Sequence, residues 1–127
     1  MEIKPKVLII DDDLSVCETL SIALSEIVRV KYFTDTKEAQ IYLKKHDDIK
    51  LIIIDYKVQN IDGIDFYKDE IKNKGFNIPA ILISGFIGQN KSPEEQTLLA
   101  KYFVLVLEKP FDIFELINFV ESEVLKK

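Results

Sequence analysis

The chain has 127 residues, 47% of them hydrophobic, and a formal net charge of −5. That length suits one domain, residues 1–127, and that apolar share fills an ordinary core, while a single arginine, Arg29, and the lack of a basic face argue against a reader of duplex DNA. Cys17, the only cysteine, excludes an internal disulfide and suits a reducing compartment; no apolar run reaches the length of a membrane span and no leader pattern opens the chain, so a cytoplasmic location is expected.

After a short polar lead, Val7 to Ile10 predicts a strand that stops at Asp11-Asp12-Asp13. Val16, Leu20, Ala23, Leu24 and Ile27 then recur at helical spacing, with Cys17 beside that stripe as a packing residue. Arg29 to Phe33 alternates as a shorter strand nearer an edge. Thr34, Asp35 or Thr36 can cap the next helix, which turns Ala39, Tyr42 and Leu43 inward. His46, near its end, is expected to interact with the terminal carbonyls rather than to carry a phosphoryl group.

Leu51-Ile52-Ile53-Ile54-Asp55 is the centre of the pattern. Four branched apolar residues run unbroken into one carboxylate, as in a strand covered by helices on both faces. A loop from Tyr56 to Asp62 follows. Gly63, Tyr67 and Ile71 mark a third helix, stopping near Asn73-Lys74-Gly75. Ala80 to Ile83 forms a strand ending at Ser84, and Gly85 to Lys91 a loop without dinucleotide-binding glycine spacing. Ser92-Pro93-Glu94-Glu95 is a strong helix start, and that helix ends about Tyr102. Phe103 to Leu107 predicts the last strand, leading into Glu108-Lys109-Pro110. Asp112 caps a final helix with Ile113, Leu116, Ile117, Val120 and Val124 inward.

Five strand–helix repeats imply an α/β fold with one parallel sheet, right-handed crossovers and five helices on both faces. In such sheets ligands bind at the carboxyl ends of the strands. Asp11, Asp12, Asp55, Ser84 and Lys109 would therefore meet on one rim. Clustered carboxylates raise each other's proton affinity unless a cation neutralises them, and hard oxygen ligands suit Mg²⁺. A carboxylate oxygen can attack phosphorus to give an acyl phosphate, a lysine ammonium can pair with phosphoryl oxygens, and a hydroxyl can donate to one.

These residues resemble the receiver domains of two-component response regulators, over essentially the whole chain. Asp11-Asp12 matches the acidic pair of that family and Asp55 the phosphoacceptor. Ser84-Gly85 matches its hydroxyl followed by a small residue, Lys109-Pro110-Phe111 its Lys-Pro-Phe, and Asp62-Gly63 the Asp-Gly past the acceptor loop. The resemblance implies a flavodoxin-like (βα)5 three-layer sandwich with sheet order 2-1-3-4-5. It implies a phosphoacceptor in a phosphorelay, not an enzyme beyond self-phosphorylation and self-dephosphorylation. Asp12 would bind Mg²⁺ directly, Asp11 largely through water, and Asp55 and the backbone carbonyl of Lys57 would complete the protein ligands. The phosphoryl donor would be a sensor histidine kinase or a histidine phosphotransfer protein. The output partner is open, a homodimer is compatible, and neither nucleic acid nor membrane is expected to bind this domain directly.

The chain departs from the family at Gln59, where proline is usual, at Val106, where an aromatic ring is common, and in a longer loop after Ser84. These bear on switching, not on the phosphorylation chemistry. Lys57 and Phe86 take the positions that flank attacking water in the family, and the backbone from Ser84 through Gly88 is the expected conduit of the switch. Two other readings compete. A haloacid-dehalogenase-like phosphatase would use Asp11 as nucleophile and Asp13 as general acid, but it leaves Asp55 idle. A degenerate receiver that binds partners without phosphorylation would not need the full set of acids, hydroxyl and lysine.

Overall fold

A computed structural model describes residues 3–85 and 92–125. The elements are β1 (Lys6–Ile10), α1 (Leu14–Leu24), β2 (Arg29–Phe33), α2 (Thr36–Lys45), β3 (Ile49–Asp55), β4 (Lys57–Val58), β5 (Ile61–Asp62), α3 (Gly63–Tyr67), β6 (Ala80–Ser84), α4 (Pro93–Tyr102), β7 (Leu105–Glu108) and α5 (Ile113–Val124). Five of the strands form one parallel sheet in the order β2-β1-β3-β6-β7. With the two-residue strands β4 and β5 set aside as a separate antiparallel ribbon, this is the expected order 2-1-3-4-5.

Strand geometry sorts the apolar runs into two cores, because successive side chains point to opposite faces. Leu8, Ile10, Ile52, Ile54, Ala80 and Leu82 pack under α2, α3 and α4, with Ala39, Leu43, Ile64, Tyr67 and Leu99. Val7, Ile9, Leu51, Ile53, Ile81, Ile83 and Leu107 pack under α1 and α5, with Cys17, Leu20, Leu24, Leu116 and Val120. The unbroken runs need no polar alternation because both faces are covered. Cys17 is fully buried in the second core, as its packing role requires, and burial pushes its thiol up to about 11.

Each helix begins on a side-chain cap that accepts a main-chain N–H of the first turn: Asp13, Asp35, Asp62, Ser92 and Asp112 in order. Such a cap contributes about 1 kcal/mol. Among the three residues able to cap α2, Asp35 does so. His46 lies past the end of α2, its Nδ1 3.0 Å from the Tyr42 carbonyl oxygen and its ring stacked on Tyr42. The third helix changes pitch: α3 continues as a π-helical turn over Lys68–Lys72 before Gly75 stops it at φ +86°.

Two boundaries differ from the sequence reading. The segment Tyr56 to Asp62 is the β4–β5 ribbon rather than an open loop. The last strand begins at Leu105, not Phe103, because Phe103 is the C-cap of α4 and donates its N–H to Leu99 while its ring joins the first core. Phe86 and Gly88 lie outside the described residues. Among the described residues no helix is long and apolar enough to cross a membrane.

Candidate functional site

Parallel strands bring their carboxyl ends to one rim, and the polar residues that follow β1, β3, β6 and β7 collect there. Asp11 leaves β1 with its N–H on the Phe33 carbonyl of β2. Its carboxylate is almost wholly buried. Oδ1 accepts the Asp13 N–H at 2.9 Å and Oδ2 accepts Lys109 Nζ at 3.2 Å. Asp12 is exposed, and its Oδ2 accepts the Gln59 N–H at 2.7 Å from the turn of the ribbon. Asp55 ends β3. Its Oδ1 accepts the Tyr56 N–H at 2.9 Å and lies 3.7 Å from Lys109 Nζ.

Oxygens of Asp11, Asp12 and Asp55 all fall within 4.8 Å of one another. Three carboxylates at that spacing offer the hard, anionic oxygen set that a divalent cation such as Mg²⁺ prefers. The donor set therefore fits the ion that the sequence reading expects. Asp13 stands apart from the triad: its carboxylate accepts the Ser15 N–H at 3.0 Å and the Ser15 hydroxyl at 2.7 Å. The general acid of the phosphatase reading is thus engaged as a helix cap, whereas Asp55, idle in that reading, sits inside the triad.

The charge balance is strained in the direction the clustering predicts. Burial, then the nearby charge of Asp11, pushes Asp55 up to about 6 against the pull of Lys109. Burial raises Asp11 as well, outweighing the Asp13 N–H and Lys109. For Lys109, burial works to lower its proton affinity, but Asp11 and Asp55 together win and raise it. One ammonium faces two carboxylates, that of Asp11 almost wholly buried and that of Asp55 partly so, with a third beside them.

Ser84 ends β6 and is buried, its carbonyl accepting the Lys109 N–H at 2.7 Å. That bond ties the hydroxyl-bearing strand end to the lysine-bearing one. The Lys109–Pro110 peptide is cis. Lys57, whose backbone carbonyl the resemblance implies as a ligand, is the exposed first residue of β4. Gly63 explains the Asp62-Gly63 pair: a Cβ there would lie 2.2 Å from the Asp55 carbonyl oxygen. Only glycine lets α3 start this close to the strand that carries Asp55.

The sequence reading missed Tyr56 and the amide of Gln59. Besides its N–H to Asp55, Tyr56 donates its phenol to Glu95 Oε1 in the first turn of α4 at 2.9 Å. An aromatic residue directly after Asp55 was a visible signal for the phenol, but no side chain signals a main-chain donor. Val106 is half-buried against the core beneath α4. A cavity of about 340 Å³ opens beside Lys109, lined by Val16, Leu20, Pro110, Phe111 and Ile113 among others.

Comparison with known proteins gives one family. The response regulator receiver domain matches residues 7–121. Among solved structures, the receiver domain of the Francisella response regulator 1452 is 27% identical, with TM-score 0.82 over 97% of this chain and 98% of that one. The beryllofluoride-activated NtrC4 receiver domain dimer is 24% identical, with TM-score 0.81 over 96% and 98%. The Vibrio cholerae chemotaxis protein CheY4 is 23% identical, with TM-score 0.78 over 94% and 98%. No curated protein matches.

Proposed function

The chain belongs to the response regulator receiver domain family, and from that premise we propose that Asp55 accepts a phosphoryl group from the phosphohistidine of a sensor histidine kinase or histidine phosphotransfer protein. The observation that carries this is the placement of Asp55 in the carboxylate triad, within 3.7 Å of Lys109 Nζ, at the end of the central strand. An Asp55 carboxylate oxygen attacks phosphorus and a P–O bond forms. The P–N bond breaks, and its electron pair leaves on the imidazole, which takes up a proton. Asp11, Asp12, Asp55 and the Lys57 carbonyl would hold Mg²⁺, whose bound charge offsets the repulsion between the triad and the incoming phosphoryl oxygens.

The chain's own groups divide the remaining work. The Tyr56 N–H fixes one oxygen of Asp55, so the other is free to react. Lys109 pairs with the arriving phosphoryl oxygens, and the Ser84 hydroxyl donates to one of them. The apolar cavity between α1 and the Pro110–Phe111 turn lies beside Lys109 and suits the docking of a donor protein.

The product is a labelled protein rather than a released one, and the charge it carries biases a two-state rearrangement near Ser84 and Lys109. Val106 is a poor lever for it, because a β-branched side chain has one stiff χ1 and little reach. The conduit is the backbone leading from Ser84 to α4, joined by the Tyr56–Glu95 hydrogen bond, which reaches α4 from beside the acceptor. We assign this work to the cytoplasm, alongside the kinase. A homodimer on activation is compatible with it, as described for the NtrC4 receiver.

Incubation with acetyl phosphate and Mg²⁺, followed by intact-mass spectrometry, tests the acceptor. The wild type should gain one phosphoryl group and Asp55→Asn none. Full labelling of the variant would refute the assignment, and repeated turnover of a phosphate ester would favour the phosphatase reading.

A further inference from the structure

Asp12 is the exposed member of the triad. Two neighbouring carboxylates repel it, and an exposed aspartate can swing into solvent at little cost. Among the described residues, the hydrogen bond that opposes this is the one from the Gln59 N–H to Oδ2, at 2.7 Å. That donor comes from an unusual backbone. Gln59 and Asn60 turn the ribbon between the pairs Lys57–Asp62 and Val58–Ile61, and Gln59 sits at φ +56°. Positive φ at the first of two turn residues is a conformation glycine prefers, and a glutamine there is strained. The strain aims the N–H at the carboxylate. Proline at this position could not donate at all.

We propose that the Gln59 amide is a positioning group for Asp12, holding its carboxylate in the triad so that a divalent cation meets an assembled ligand set. This rests on the reading of the triad as a Mg²⁺ site. The bond engages Oδ2, and the carboxylate keeps lone pairs with which to bind the ion. It also ties the end of β1 to the strand that carries Lys57, so donors from two segments are ordered before the ion arrives. Partners that orient metal ligands in this way typically change affinity 10- to 100-fold. In this role Gln59 acts through Asp12 rather than on the ion or the phosphoryl group.

The test is Mg²⁺ affinity of the full chain, by calorimetry and by titration of backbone amide shifts around Asp55. Gln59→Gly keeps the N–H and relieves the strained φ, and should bind Mg²⁺ within about twofold of wild type. Gln59→Pro removes the N–H but also forbids φ +56°, so a semisynthetic chain with an ester in place of the Val58–Gln59 amide is the decisive variant. It replaces the donor with an ester oxygen while leaving the φ of Gln59 accessible, and should bind Mg²⁺ about tenfold more weakly or worse. Equal affinity in the ester chain, beside a severe loss in Asp12→Ala, would overturn the role of Gln59 and leave the metal site standing. Unchanged affinity in Asp12→Ala would overturn the metal site and this inference with it.

Discussion

The two ends of the sheet use the same residue types to opposite effect. At the amino end, one carboxylate serves two cations: Asp48, just before β3, lies 3.3 Å from Lys6 at the start of β1 and 3.4 Å from Arg29 at the start of β2. At the carboxyl end, Asp11 and Asp55 share Lys109, with Asp12 beside them. The titration directions follow. Burial alone would raise Asp48, but its hydrogen bond and attraction to Lys6, with Arg29, outweigh this and lower it, whereas Asp55 is raised to about 6. Charges at the amino end hold strand starts together. Charges at the carboxyl end, partly desolvated and repelling one another, work against the metal-free fold, and a cation bound among them would offset both costs.

The comparison breaks most sharply at Asp55. The folded state holds its proton up to about pH 6, whereas an unfolded aspartate releases it near 3.8. A raised folded pKa contributes stability that is fully present below about pH 4 and lost as pH rises through about 6. Asp55→Asn escapes that loss. Without Mg²⁺ at pH 7, it should be more stable than wild type by up to about 3 kcal/mol, the equivalent of roughly two pKa units. The gap should close below pH 4 and shrink as Mg²⁺ is added, because an ion bound at the triad would stabilise the folded wild type. Urea unfolding across pH, with and without Mg²⁺, measures this. A variant no more stable than wild type at pH 7 would remove the repulsion argument.

Gly63→Ala attacks the same end through the backbone. Its Cβ would stand 2.2 Å from the Asp55 carbonyl oxygen, and the obstacle is main chain rather than a side-chain tip that could move away. Either α3 or the end of β3 must shift. The expected cost is about 1–3 kcal/mol, the usual range for overpacking. Since the shift displaces Asp55 itself, labelling by acetyl phosphate should slow even where the protein is fully folded. Wild-type stability and labelling in this variant would mean that the close approach does not exist.

Much of the carboxyl end was legible before the structure. Apolar runs ending in acids, serine and lysine identify strand ends, and parallel pairing gathers them on one rim. Asp11, Asp12, Asp55 and Lys109 were legible for that reason, as was the burial of Cys17. The ribbon was not: Lys57–Val58 and Ile61–Asp62 are too short to show a period. Phe103 read as strand because an apolar residue that caps a helix and fills a core looks the same in sequence as one that starts a strand. The Gln59 amide was invisible, since every residue but proline carries that donor. The amino-end cluster was invisible too, because pairing Lys6, Arg29 and Asp48 requires the register of three strands rather than any local spacing.

The smallest expected effect lies at that amino end, and its sign is what matters. Asp48→Asn removes an attraction where Asp55→Asn removes a repulsion, so the two substitutions should move the melting temperature in opposite directions at pH 7. The ion pairs are half exposed, and pairs of that kind contribute little. The fall in Tm should therefore be slight. Its pH dependence should also be reversed. A lowered carboxylate contributes stability above its unfolded pKa and loses it as pH falls through the folded value, so the deficit of Asp48→Asn should be present at pH 7 and vanish in acid. High salt should erase it, since exposed charges are screened. Mg²⁺ affinity should not change, because the substitution lies at the opposite end of the sheet from the triad. Thermal melts of both variants at pH 4 and pH 7, in low and high salt, measure all of this. An Asp48→Asn protein that melts above wild type at pH 7 would mean that the two ends carry the same kind of strain, and the contrast between them would fail.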